Sequence, residues 1–244
     1  MIDNQTLLIL LLAITAFLYA SVGHGGASTY IALLTLFHIS PIEIRPTALI
    51  LNILISFISF LMYRKVCKFP TRLFWILIIA SVPASFLGGK LLIDTSLYRK
   101  ILGIILLFPV ARFLGIIPTS DKQIIEPKVG LVLLIGLVIG FVSGLIGIGG
   151  GILLSPIVLL LGWVNMKEAA ALSALFIFFN SIAGLAGSSL TSSIPSEYVL
   201  WYLPFTLAGG LAGAYVGAQR YNLRTLKYVL TTVLLIAAVK LIGI

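Results

Sequence analysis

Charge is scarce in this chain. Only 9% of its 244 residues are Asp, Glu, Lys or Arg, where a soluble domain carries about a quarter, so a water-soluble globular domain is excluded. A single cysteine, Cys67, rules out an internal disulfide and any cysteine-based metal cluster. Acidic residues number seven. Glu43, Asp94, Asp121, Glu126, Glu168 and Glu197 all fall at the edges of apolar runs, which leaves little for a carboxylate relay of sodium or protons. There is no HExxH, no pair of aspartates within an apolar run and no plausible Ser–His arrangement. No catalytic residue, metal site or cofactor is therefore expected. The net charge of +9 comes without a basic tail or an aromatic–basic patch, so nucleic acid is not an expected partner. The N-terminus opens with Asp3 and no cation, unlike a secretory leader, and its apolar run is read as a retained helix.

Apolar sequence is abundant instead. Hydrophobic residues make up 60% of the chain and the mean hydropathy is +1.19. Spanning a ~30 Å hydrocarbon core takes about 20 mostly apolar residues, and the pattern predicts helices near 5–22, 27–38, 46–63, 73–92, 98–117, 129–146, 152–162, 169–189, 198–218 and 225–243. This is an all-α polytopic membrane protein. Its one polar, proline-bounded linker is "PTSDKQIIEPK" at 118–128, which divides a first repeat at 1–117 from a second at 129–244.

The halves match. A shift of 124 places Phe17 on Phe141, Gly23 on Gly147, Gly25 on Gly149 and Gly26 on Gly150. From Asn52 onward a shift of 128 places Asn52 on Asn180 and sets Ser81, Ser85 and Gly89 on Gly209, Gly213 and Gly217. "ARFLGII" at 111–117 lies on "VKLIGI" at 239–244, pairing Arg112 with Lys240. The loop at 64–72 holds Arg64, Lys65, Lys68 and Arg72, whereas its counterpart at 191–197 has no Lys or Arg. Since cytoplasmic loops collect Lys and Arg, equivalent loops should face opposite sides. The expected architecture is two inverted repeats, each a glycine-broken helical hairpin followed by three transmembrane helices. Both termini are then external, together with Arg45, Lys90, Arg99, Lys100 and Lys240, in a multi-pass plasma-membrane protein. Inverted repeats with discontinuous helices characterise secondary transporters.

Glycine is placed where a membrane helix should avoid it, in "SVGHGGASTY" (21–30) and "GLIGIGGGILLSP" (144–156). Segments 27–38 and 152–162 are too short to cross a bilayer, so each helix should begin near mid-depth. There its first N–H groups lack partners and its dipole is positive. Glycines bare that turn, letting an anion reach the N–H groups. Gly136, Gly140 and Gly144 instead repeat every fourth residue and read as a packing ladder. A dinucleotide motif is absent because Ile152 stands where its third glycine belongs.

"GLIGIGGGILLSP" followed by "ALFIFFNSIAG" resembles the sulfite exporter TauE/SafE family of integral membrane transporters, and the likeness extends over essentially the whole chain. The resemblance implies transport of sulfite, thiosulfate or an organic sulfonate. The first half departs from the pattern, with His24 and Ala27 in its glycine motif and Ala32 in place of Pro156.

The candidate substrate-binding residues are Gly23, His24, Gly25, Gly26, Ser28 and Asn52 in the first half, and Gly147, Gly149, Gly150, Gly151 and Asn180 in the second. Thr29 and Ser155 add hydroxyls nearby. His24 either donates to an oxyanion and carries a coupled proton or, as a neutral imidazole, caps a broken helix. The two asparagines either complete the site or serve as interhelical contacts. Arg45, beside Pro46, reads as a loop cation that could draw anions to an entrance. Trp75, Trp163, Trp201 and Tyr202 read as an interfacial aromatic belt. The expected partners are a small anionic substrate and the lipid bilayer, with a homo-oligomer allowed. A passive anion channel and a membrane scaffold without transport activity remain the competing functions.

Overall fold

The computed structural model describes residues 4–91, 126–189 and 197–219, with isolated residues between 103 and 114 and between 231 and 239. Among these the chain is helical: α1 (Asn4–Ala20), α2 (Ala27–Leu36), α3 (Pro41–Tyr63), α4 (Thr71–Lys90), α5 (Val129–Ile146), α6 (Gly151–Leu160), α7 (Met166–Ser188) and α8 (Glu197–Gln219). Four of them, Glu43–Tyr63 within α3, α4, α5 and α7, are long and apolar enough to cross a membrane. Most of the expected linker, most of the helices expected at 98–117 and 225–243, the loop at 191–196 and the Arg112/Lys240 pair lie outside the described residues; within those two helices residues 103, 104, 107, 110, 111, 231, 232, 235, 238 and 239 are described and helical.

Each boundary has a local cause. Helix α7 opens on a capping box, with Asn165 Oδ1 accepting from the Lys167 and Glu168 amides while the Glu168 carboxylate accepts from the Asn165 amide. Helix α3 starts five residues earlier than the sequence predicts. Pro41 suits a first helical position, where the N–H would be unpaired anyway, and Pro46 sits inside the helix rather than before it. That correction moves Arg45 from a loop onto a helix.

Small residues set the packing. Along α4 and α5, Gly136, Gly140 and Gly144 lie against Leu77, Ser81 and Ser85, so the two helices run parallel. A Cβ at those glycines would stand 2.7, 2.3 and 1.9 Å from the facing carbonyl oxygens. Helices α8 and α1 repeat the arrangement, with Gly209, Gly213 and Gly217 against Ala13, Phe17 and Ser21. The expected ladders are therefore real and extend to α8. Helix α3 crosses α7 in the opposite sense: Leu49 nears Gly184, Asn52 bonds Ser181, Phe57 stacks on Phe178, and Tyr63 packs with Ala170 and Ala171.

Outward faces are apolar, as lipid requires. Ile79, Leu134, Leu137 and Leu200 are exposed, and so are Trp75 and Trp201. Trp163 and Tyr202 are buried in the core and do not join them, which corrects half of the expected belt.

Candidate functional site

The two glycine stretches fold alike. The turn after α1 passes through Gly23 (φ 79°) and α2 is capped by Gly26 (φ 100°), while α5 is closed by Gly147 (φ 86°) and α6 is capped by Gly150 (φ 76°). Left-handed backbone of this kind strains any residue with a Cβ, so glycine is required at these four positions. The pairs 23/147 and 26/150 obey the same offset of 124 found in the sequence. Both following helices are 10 residues long, or about 15 Å, half a bilayer.

Their depth can be read from neighbours. The first amide of α2, at Ala27, bonds Asn52, the middle residue of α3. Gly151, which opens α6, lies against Ile177, the middle residue of α7. From there α2 runs back toward the start of α3 and α6 toward the start of α7. Because α3 and α7 are antiparallel, α2 and α6 point away from each other, and their N-terminal ends meet at mid-depth. Both carry the positive end of a helix dipole.

Asn52 lies between those ends and is fully buried. Its Oδ1 accepts from the Ala27 amide at 3.2 Å. Its Nδ2 donates to Ser181 Oγ at 2.9 Å and to the Ile148 carbonyl at 3.5 Å. A Cβ on Gly25 would fall 1.8 Å from Asn52 Oδ1, and one on Gly149 would fall 2.4 Å from Asn52 Nδ2. The two glycines thus make room for one amide.

A second polar link crosses between the breaks. His24 Nε2 and Ser155 Oγ are 2.8 Å apart, and Ser155 Oγ is 2.7 Å from Ser173 Oγ. His24 Nδ1 is buried without a hydrogen-bond partner. Ser143 Oγ is in the same condition, and its Cβ stands 3.2 Å from where Gly150 would carry one. Unmet polar atoms in a buried site are costly, and both lie beside a helix N-terminus.

Other expected residues sit differently. Ser28 and Thr29 share the Tyr19 hydroxyl, at 2.9 and 2.8 Å, and so bind α2 back to α1. The Tyr30 hydroxyl donates to the Gly25 carbonyl at 2.8 Å and fills the space beside Gly26. Asn180 donates to Ser81 Oγ and to the Phe176 carbonyl, which ties α7 to α4, and its buried Oδ1 has no partner. It does not join the breaks as Asn52 does. Arg45 is half-buried on α3 and donates to the Gly88, Gly89 and Gly144 carbonyls, at 3.4, 2.7 and 2.5 Å, across the closing turns of α4 and α5. A cation at helix C-termini is favourable. No group of three His, Cys, Asp or Glu comes together among the described residues.

Sequence reasoning passed over Ser173, Ser181 and Tyr19. Each is a polar group in an apolar helix, and that was the available signal for them.

The profile of the sulfite exporter TauE/SafE family matches residues 8–241. The chain belongs to this family. A probable membrane transporter protein of Sinorhizobium fredii, y4hK, is 34% identical over 94% of both chains. The probable membrane transporter YunE of Bacillus subtilis is 31% identical over 52% of this chain and 48% of its own length. The probable membrane transporter MJ0441 of Methanocaldococcus jannaschii is 30% identical over 66% of this chain and 61% of its own. No solved structure matches. In this TauE/SafE member both glycine stretches lie within the matched span, and the names of its relatives agree with a membrane transporter.

Proposed function

We propose that the chain is a secondary transporter of a small oxyanion, sulfite, thiosulfate or an organic sulfonate, that binds it between the two breaks and exposes it alternately to either side. One observation carries this reading: the N-termini of α2 and α6, approaching from opposite directions, meet at mid-depth around Asn52. Positive helix ends held inside protein favour an anion, and the family description names sulfite. The glycines at 23, 25, 26, 147, 149, 150 and 151 let side chains and backbone close tightly around the two helix ends, and His24 Nδ1 supplies an unmet polar atom there. Since His24 can also take up a proton, it is the proposed carrier if transport is proton-coupled.

The inverted duplication supports the same mechanism. The first helix of each half packs on the fourth helix of the other, α1 on α8 and α5 on α4, in the same parallel sense and through the same ladder. Halves of opposite orientation can rock about a fixed central site. On this reading residues 1–117 and 129–244 are the two repeats, the loop at 64–70 is cytoplasmic, and both termini face outward in the plasma membrane.

The test is ligand stabilisation of the detergent-purified protein by sulfite, thiosulfate, sulfate, taurine, phosphate and a carboxylate. A ligand present at 100 times its Kd adds about 2.7 kcal/mol to stability. Selective stabilisation by sulfur oxyanions, with saturable uptake into proteoliposomes, is the expected result. A flat panel on folded protein would overturn the substrate assignment, and uptake that never saturates would favour a channel.

A further inference from the structure

Among the described residues, Asn52 is the side chain that bonds both breaks. Its amide oxygen holds the first N–H of α2, and its amide nitrogen holds the Ile148 carbonyl in the other hairpin and Ser181 on α7. The oxygen of Asn52 therefore stands where an anion oxygen would stand on α2. A neutral amide is the weaker acceptor, because hydrogen bonds to an ionised oxygen are roughly twice as strong. Beside it, His24 Nδ1 is buried without a hydrogen-bond partner, a second polar atom in the same break.

We propose that Asn52 is a displaceable latch: its carboxamide occupies the anion position in the empty protein, and an arriving anion displaces it, freeing Ile148 and Ser181 and so releasing the Asn52 link between the two breaks. The proposal rests on the anion reading above and assigns Asn52 a positioning role in place of a ligand role. It links occupancy to motion, since the Asn52 bonds that join the two breaks are those the substrate takes over.

A latch and a ligand predict opposite signs. In Asn52→Ala the anion meets no competitor, so sulfite and thiosulfate bind about three- to tenfold tighter, the worth of one net hydrogen bond. Transport by the same variant slows, because the empty protein has lost the contact that resets it. Hydrogen–deuterium exchange without any anion gives an independent readout: backbone exchange rises in residues 22–30 and also in 146–154. A merely structural asparagine would not tighten binding. Ser181→Ala removes one partner of the amide nitrogen and leaves the Ala27 bond intact, so it shows the same tightening at about twofold and covers the case in which Asn52→Ala does not fold.

Weaker anion binding in Asn52→Ala, or in Ser181→Ala where only that variant folds, would overturn the latch and make Asn52 a direct ligand. Unchanged binding and unchanged exchange, with wild type binding the anion normally, would overturn the latch and leave the anion site standing. Absence of binding by wild type and both variants overturns the anion reading and the displacement together.

Discussion

Replacing Gly144 by alanine adds one methyl group where the structure has no room for it. The new Cβ would lie 1.9 Å from the Ser85 carbonyl oxygen and 2.6–2.7 Å from the carbonyl carbon and Cα of the same residue. These are backbone atoms, so no rotamer change relieves the clash. Ordinary contact begins near 3.4 Å, and α4 and α5 must therefore part locally by about 1.5 Å. Overpacking of this kind costs roughly 1–3 kcal/mol. Parting also weakens the Cα–H contacts to carbonyls along the ladder, each worth about 0.5–1 kcal/mol, and the helix propensity of alanine returns up to ~1 kcal/mol. The net loss is about 2–4 kcal/mol. At roughly 2–4 °C per kcal/mol for a chain of this size, thermal unfolding in detergent should fall by about 5–15 °C. Gly130→Ala is the matched control, since it makes the same change on the same helix at a position with nothing within 4 Å. It should leave the transition unmoved or raise it slightly. Equal transitions for the two variants would refute the claim that backbone approach, rather than helix propensity, fixes glycine on α5.

Three further outcomes follow from local chemistry. Asn165→Ala removes the side-chain half of the α7 capping box, the acceptor for the Lys167 and Glu168 amides, while its backbone amide can still donate to Glu168; it should cost about 1 kcal/mol, read as a lower unfolding temperature that Asn165→Asp restores. Arg45→Lys should destabilise the protein despite keeping the charge, because Nη1 donates to the Leu91 carbonyl while Nη2 donates toward the Gly88, Gly89 and Gly144 carbonyls, and one ammonium cannot occupy both arms of that planar fork; a wild-type transition would discount those bonds. The Cys67 thiol, in the loop after α3, is pushed up by partial burial and then by Glu168, with Lys167 opposing. Thiolate is the reactive form, so maleimide labelling at neutral pH should be slower than for a free thiol and should keep rising above the ordinary thiol range. Glu168→Gln should speed it at fixed pH, and an unchanged rate would discount the carboxylate's influence.

The sequence carried most of the helices because lipid leaves few alternatives: a run of about 20 apolar residues must satisfy its backbone internally. α5 begins and ends where its pattern says. α3 does not, because Pro46 looks like a boundary in one dimension while the helix tolerates it as an internal residue. The breaks were legible through glycine spacing, and their left-handed backbone explains why that spacing recurs. What spacing could not convey was pairing. Asn52 and Asn180 occupy equivalent positions, yet one amide faces the breaks and the other faces Ser81. That difference depends on neighbours supplied by distant segments. Trp163 was misread for the same reason, since closeness to a helix end does not say whether a ring faces lipid or the core.

The asymmetry between the two asparagines bears on how the two halves of the proposed repeat would work as one machine. With both breaks capped by their own amide, no asparagine would join one break to the other. Here the first-half amide reaches into the second hairpin, and the first-half histidine reaches Ser155 on α6. Both links cross between halves at mid-depth, where water is scarce and an unmade hydrogen bond is expensive. On the proposed alternating-access mechanism, rocking of the halves would have to exchange these bonds rather than merely break them. A bound oxyanion, with several acceptor oxygens, is the kind of partner that can complete that exchange.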